Sequence, residues 1–397
     1  MKNRLQLYIH IPFCTSKCCY CDFLSTSADT YTRKRYIESL LNEISGYKNE
    51  FDNYQVDTIF LGGGTPSILS GEAILRIFNT IYTTFEVALH AEITMEVNPE
   101  SVNEDDIAYW KKAGINRISI GLQSANEKDL RILGRKHNYN EFLCNYNVIR
   151  NNGFSNISVD LISGIPGQTL NSYTKTLDSV IKLRPEHISA YSLIIEEGTP
   201  FWNKYGKASL SANDNDVISP ICSEELDRQM YEHTKSILGN AGYRRYEISN
   251  YSVEGYECRH NLGYWDRVNY LGIGLGASSL INNIRYKNIG DMDKYIYTFV
   301  SVANSEYRLS KPYVIDEVIE LSTKDEMEEF MFLGLRKVTG VSRIDFQSQF
   351  GKPMECIFGE ILIRLQEDKL IKFNDDYVYL TDIGLDLSNY VFSKFLL

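Results

Sequence analysis

Four of the eight cysteines fall within Cys14-Thr15-Ser16-Lys17-Cys18-Cys19-Tyr20-Cys21; the others, Cys144, Cys222, Cys258 and Cys356, stand singly. The cluster contains a C-x3-C-x2-C subset made of Cys14, Cys18 and Cys21. Three thiolates on one short loop suit iron–sulfur ligation, because cluster irons are held by cysteine sulfur. Zinc is the competing reading, but its structural sites usually close a tetrahedron with a second Cys or His pair, and none follows nearby. A cysteine-rich turn that holds no metal is the plain alternative. The apolar residues after Lys2 and Arg4 are interrupted by Gln6 and His10, so no secretory signal is expected, and the cysteines are read as reduced in a cytoplasmic setting.

Other residues with chemical potential recur at set intervals. Gly62-Gly63-Gly64-Thr65 offers backbone that can approach a ligand closely and expose N–H donors. Glu96 and Asp160 are carboxylates able to accept from an amine or from ribose hydroxyls, and Gln123 and Arg135 supply further polar contacts. Taken singly, each of these could equally solvate a strand end.

What must position them is a series of short apolar runs: Leu5–Ile11, Val56–Leu61, Ala91–Val97, Arg117–Leu122, Ile157–Ile162 and His187–Ile195. Each is rich in Ile, Leu, Val or Thr and is followed by turn residues, as buried parallel strands are. Helical patterns lie between them, at Tyr36–Phe51, Ile74–Phe85, Glu104–Ala113 and Tyr139–Asn151. Six βα units predict an α/β fold, a parallel sheet curled into a full or partial barrel, whose loops at the C-terminal strand ends build the site. The glycines and polar motifs named above sit at or near that end.

Tyr8-Ile9-His10-Ile11-Pro12-Phe13-Cys14 through Cys21-Asp22-Phe23, followed by the Gly-Gly-Gly-Thr-Pro strand end, resembles the radical S-adenosylmethionine (SAM) superfamily. The resemblance is to the branch containing oxygen-independent coproporphyrinogen III oxidase and the HemW-type haem chaperones. It implies a partial (β/α)6 TIM-like barrel and a [4Fe–4S] cluster on Cys14, Cys18 and Cys21 with one iron open to S-adenosylmethionine, whose reductive cleavage would give a 5′-deoxyadenosyl radical. It further implies that Tyr8, Tyr20, Gly63, Gly64, Thr65 and Glu96 line the S-adenosylmethionine site, with Gln123, Arg135 and Asp160 at further pocket positions. Cys19 is not expected to be a ligand. Whether a second S-adenosylmethionine binds is left open.

Within that branch, the oxidase has a fourth cysteine where this chain has Phe23, and a long segment ahead of its cluster loop. His260-Asn261-Leu262-Gly263-Tyr264-Trp265 matches the HNxxYW signature of the chaperones. The resemblance therefore implies a haem-binding protein that delivers haem to membrane respiratory haem proteins, with His260 on the haem iron and Tyr264 and Trp265 against the porphyrin. Imidazole is a ready haem ligand, and the two aromatic rings offer flat faces. From the residues alone, a hydrogen-bonded structural histidine is the favoured reading, which only the resemblance reverses, and Cys258 is a rival iron ligand. The alternatives are coproporphyrinogen III decarboxylation and radical ring opening of haem. A cluster-dependent homodimer stays open.

The chain's 397 residues predict two or three domains: the barrel at 1–200, an extension at 201–309 carrying the HNxxYW motif, and a C-terminal module at 310–397. That module reads as winged-helix-like, with helices at Lys324–Val338, Ser342–Gln349 and Glu355–Glu367 before strands Leu370–Phe373 and Tyr377–Leu380. It carries 10 basic and 16 acidic side chains in a chain of net charge −11. A field of that sign opposes phosphate contact, so a lid or docking surface is expected rather than a nucleic-acid reader.

Overall fold

The computed structural model of the chain describes residues 2–206, 222–301 and 315–397. Strands β1 (Asn3–Ile11), β2 (Tyr54–Gly63), β3 (Val87–Val97), β4 (Arg117–Gln123), β5 (Ile157–Ser163) and β6 (His187–Ser192) lie side by side in chain order, each pair parallel. Helices α1 (Thr30–Gly46), α2 (Gly71–Thr84), α3 (Glu104–Lys112), α4 (Glu127–Leu133), α5 (Tyr139–Asn151) and α6 (Leu170–Leu183) connect them. Along β1, Leu5, Leu7, Ile9 and Ile11 are fully buried in the main core, while Tyr8 and His10 point to the inside of the curved sheet. The helices close the outer layer through stripes at helical spacing, such as Ile74, Ile77, Phe78 and Ile81 of α2. Helix α1 begins at Thr30, six residues before the expected start, because the Asp29 carboxylate accepts from the Thr32 N–H and caps the first turn. Strand β6 stops at Ser192 rather than at Ile195.

Past β6 the sheet grows at both edges. Strands β7 (Arg244–Arg245) and β8 (Asn250–Ser252) add antiparallel pairing beyond β6, after helix α7 (Glu224–Asn240). The chain then crosses to the other side, through helix α8 (Arg259–Trp265), and lays β9 (Tyr270–Ile273) parallel to β1. Strands β10 (Ser278–Ile281) and β11 (Ile284–Asn288) follow antiparallel, and helix α9 (Met292–Ser301) packs on α1. The sheet ends on β12 (Ile315–Glu320), antiparallel to β11. The strand order is linear, so among the described residues the sheet stays an open barrel.

The expected module boundary at 310 lies outside the described residues, and β12 belongs to the main sheet. The C-terminal module builds its own core from α10 (Thr323–Gly334), β13 (Val341–Ser342), α11 (Arg343–Phe350), α12 (Glu355–Glu367), β14 (Ile371–Phe373) and β15 (Tyr377–Leu380). Its three strands form a small antiparallel sheet in the order β13-β15-β14. It is tied to the barrel extension by the Val338 N–H on the Tyr246 carbonyl and by the Arg336 guanidinium over the Trp265 ring.

Candidate functional site

At the C-terminal ends of β1 and β2 the chain is stitched into a rigid bracket. The Gly64 N–H donates to the Ile11 carbonyl (2.8 Å) and the Thr65 N–H to the Phe13 carbonyl (2.7 Å). A Cβ on Gly64 would stand 2.6 Å from the Ile11 oxygen and 2.7 Å from that of Phe13, so only glycine permits this approach. The bracket holds the base of the cysteine loop, which returns through paired backbone bonds between Pro12, Cys14 and Thr26.

Cys14, Cys18 and Cys21 all line one cavity of about 490 Å³, which runs from this loop into the barrel. The Thr65 hydroxyl reaches the Cys14 sulfur at 3.4 Å, and an Arg135 Nη reaches that of Cys18 at 3.6 Å. Both are donors suited to a thiolate. Among the described residues no three His, Cys, Asp or Glu side chains converge as a ready-made metal-ligand set. Cys19 is absent from the cavity lining and packs beside Leu133 and Phe201, its backbone bonded to both.

Tyr20, Gly63, Gly64, Thr65, Glu96, Gln123, Arg135 and Asp160 line the same cavity. The Gly63 N–H donates to Glu96 Oε2 at 2.9 Å. Burial, and then the neighbouring Asp160, push the Glu96 carboxyl up to about 7 despite that bond. Asp160 accepts from Ser119 and Ser158, and burial raises its pKa too. Gln123 occupies the left-handed region (φ 69°) at a bulge in the β4–β5 pairing, the kind of outlier that aims a side chain into a site. Arg135 donates to the carbonyl of Gly121 and to Asn98 Oδ1. A pocket with three thiols, two half-buried carboxylates and the guanidiniums of Arg117 and Arg135 suits a ligand carrying both amine and carboxylate groups.

Sequence reasoning passed over Arg117. It lines the cavity floor at 2 % exposure, with Nε unpaired, facing Cys258, Glu92, Tyr246 and Asp160. Residues 117, 119, 121 and 123 alternate inward along β4, and that period of two was the available signal.

Neither Tyr8 nor His260 is on the lining of the first cavity. Tyr8 lines a second cavity of about 850 Å³, with its ring on Phe60 and its hydroxyl bonded to His10 Nδ1, and it also backs the first: a Cβ on Gly63 would stand 3.0 Å from its hydroxyl. His260 is 1 % exposed and lines neither cavity. Its Nδ1 meets Thr58 Oγ1 at 2.7 Å and its Nε2 meets the Tyr264 hydroxyl at 3.1 Å. Both ring nitrogens are thus engaged, and burial lowers its pKa to about 3, keeping it neutral. Cys258 is fully buried, with its sulfur on Glu92 and its thiol pushed up to about 12 by burial. Neither rival iron ligand lines either of these two cavities.

Instead the HNxxYW helix α8 is a cross-piece. Glu92 receives the N–H groups of Arg259 and His260 at 3.0 Å each, holding its N-terminus to β3. Gly263 lets it press on Gln6, whose amide donates to the His260 carbonyl at 3.1 Å; a Cβ there would fall 2.0 Å from that amide. Tyr8, Phe60, His260, Tyr264 and Tyr270 follow one another as an aromatic wall, with ring centroids 4.8–6.5 Å apart. Asn261 faces the first cavity; Tyr264 and Trp265 face the second.

An open parallel barrel with a C-x3-C-x2-C loop on its first strand end and a glycine bracket beside it defines a radical SAM protein. The Radical SAM superfamily model matches residues 8–180, and the HemN C-terminal domain model matches residues 321–387. The chain is 36% identical over 98% of its length to the heme chaperone HemW of Lactococcus lactis subsp. lactis, covering 97% of that protein, and 35% identical to that of Bacillus subtilis, covering 98% of both. The chain belongs to this HemW family. Its fold is that of the Escherichia coli coproporphyrinogen III oxidase HemN, with a TM-score of 0.81 at 22% identity, over 99% of this chain and 90% of that one. The radical SAM fold implies a [4Fe–4S] cluster and S-adenosylmethionine.

Proposed function

We propose that the chain is a haem chaperone: it binds haem and passes it to haem-accepting membrane respiratory proteins. The observation that carries this reading is the end-to-end similarity to proteins named heme chaperone HemW. In this reading Cys14, Cys18 and Cys21 hold the cluster, which supplies an electron-transfer centre and an open iron when bound. Glu96 accepts from the amine of S-adenosylmethionine, Asp160 and Gln123 hold its polar groups, and Arg135 offsets thiolate charge at Cys18. The module at about 321–397 docks over the second cavity through Leu333, which lines it. No helix of the described residues is long and apolar enough to cross a membrane; in this reading membrane contact comes through the acceptor, and the homodimer that presents haem to it depends on the cluster.

The test is anaerobic reconstitution with iron and sulfide, followed by titration with hemin and, separately, turnover with coproporphyrinogen III, S-adenosylmethionine and reductant. A saturable Soret band without protoporphyrinogen formation is expected. Decarboxylation of coproporphyrinogen, or loss of haem absorbance under reducing conditions with S-adenosylmethionine, would replace this reading with an enzymatic one.

A further inference from the structure

We infer that haem sits in the second cavity, held by ring stacking and by its propionates rather than by an axial bond from protein to iron. The inference rests on the haem-chaperone reading and adds to it where, and by which chemistry, the macrocycle is held.

The two cavities differ in what they can accept. The first is lined by half-buried Asp160 and Glu96 and by buried Arg117, charged side chains that an apolar macrocycle would desolvate without compensation. The second, at about 850 Å³, is within the range of small-molecule sites, and its lining combines aromatic and aliphatic side chains with lysines and an arginine. Phe23 and Leu24 stand at its rim with 60% and 42% of their surfaces exposed. These two side chains end the cysteine loop in the open, where contact with a flat apolar ligand would remove them from water. Trp265, Tyr264 and Tyr270 line the same cavity.

Its charges suit a dicarboxylate. Lys17 and Lys287 line it, both exposed and, among the described residues, in no ion pair. Arg285 lines it as well, braced by Glu329 at 2.9 Å. Two acids share the lining: Asp316, whose carboxylate accepts from the Gly290 N–H, and Asp22. With Arg285 neutralised by Glu329, Lys17 and Lys287 are the cations this lining holds outside an ion pair, in a chain of net charge −11.

The donor inventory argues against axial ligation. No Cys or Met lines the second cavity, and its one histidine, His10, has Nδ1 on the Tyr8 hydroxyl and Nε2 on the Leu24 carbonyl. The Tyr264 hydroxyl is taken by His260. A seat without a free imidazole or thiolate recognises the porphyrin rather than its metal.

The test titrates the reconstituted full chain with hemin, metal-free protoporphyrin IX and hemin dimethyl ester, followed by absorbance and tryptophan quenching. Metal-free porphyrin should bind within roughly threefold of hemin. Phe23→Ala should weaken all three ligands, and Lys17→Glu/Lys287→Glu should weaken hemin and metal-free porphyrin on the order of tenfold, as expected when two exposed charge pairs turn repulsive. The ester, with its propionates neutralised, should be unaffected by the lysine reversals. Hemin binding more than about tenfold tighter than metal-free porphyrin and lost in His10→Ala or His260→Gln would overturn the inference, as would binding indifferent to both the Phe23 and the lysine substitutions. Wild-type chain that binds none of the three would instead reject the haem-chaperone reading itself.

Discussion

His260→Gln gives the sharpest test of whether the imidazole is a wall member or an iron ligand in waiting. In the folded chain the ring is buried and bonded on both nitrogens, and desolvation holds its pKa near 3. Unfolded, it titrates near ~6.5. A group depressed in this way contributes stability that is intact above ~6.5 and is lost as pH falls toward the folded value, by about 1.4 kcal/mol per unit. Between pH 8 and pH 5 that loss comes to about 2 kcal/mol. Gln keeps part of the hydrogen bonding and does not titrate. The substitution should therefore cost about 1–3 kcal/mol at pH 8 and about 2 kcal/mol less at pH 5. His10, His137 and His187, also lowered by burial, and Glu43 and Glu96, raised to about 7, are common to both proteins and cancel in the difference. Urea unfolding of both proteins at the two pH values, followed by fluorescence from the buried Trp110, reads it directly. A penalty that stays constant or grows as pH falls would mean that the folded ring is charged or solvated, and the wall reading fails.

Two further outcomes concern the first cavity. Serine at Cys14, Cys18 or Cys21 should abolish the visible iron–sulfur absorbance after anaerobic reconstitution, while Cys19→Ser should retain it; an equal loss at Cys19 would place a ligand on the wrong side of the loop. Gly64→Ala drives a methyl into two backbone carbonyls that cannot rotate away, so it should destabilise the barrel by at least ~1–3 kcal/mol and impair cluster incorporation. Melting and iron content unchanged from wild type would show that the bracket yields.

The parallel strands and most helices could be read from the sequence because each buries a regular stripe, and α5 and α12 fall on their expected bounds for that reason. The cavity-lining residues were accessible wherever a motif ended a strand. Short-range patterns could not show β9 pairing with β1, since that contact joins residues more than 260 positions apart. Nor could they show the fate of His260: the partners that satisfy it, Thr58 on β2 and Tyr264 on its own helix, meet only after the chain has crossed the sheet. Phe23 was legible as the residue standing where the oxidase has a cysteine, but its exposed place between two cavities is a tertiary fact.

The position of β1 between β2 and β9 also sets a schedule for biosynthesis. Its β2 edge is covered as soon as residues 54–63 have left the ribosome, but its other edge must wait for residues 270–273. At ~5–20 residues per second, the strand that carries the cysteine loop spends on the order of ten seconds or more with a raw edge. During that interval the loop is anchored at Gly64 yet open on the side where α8 and β9 will lie. Metal loading during translation would meet the cysteine loop before the wall is raised.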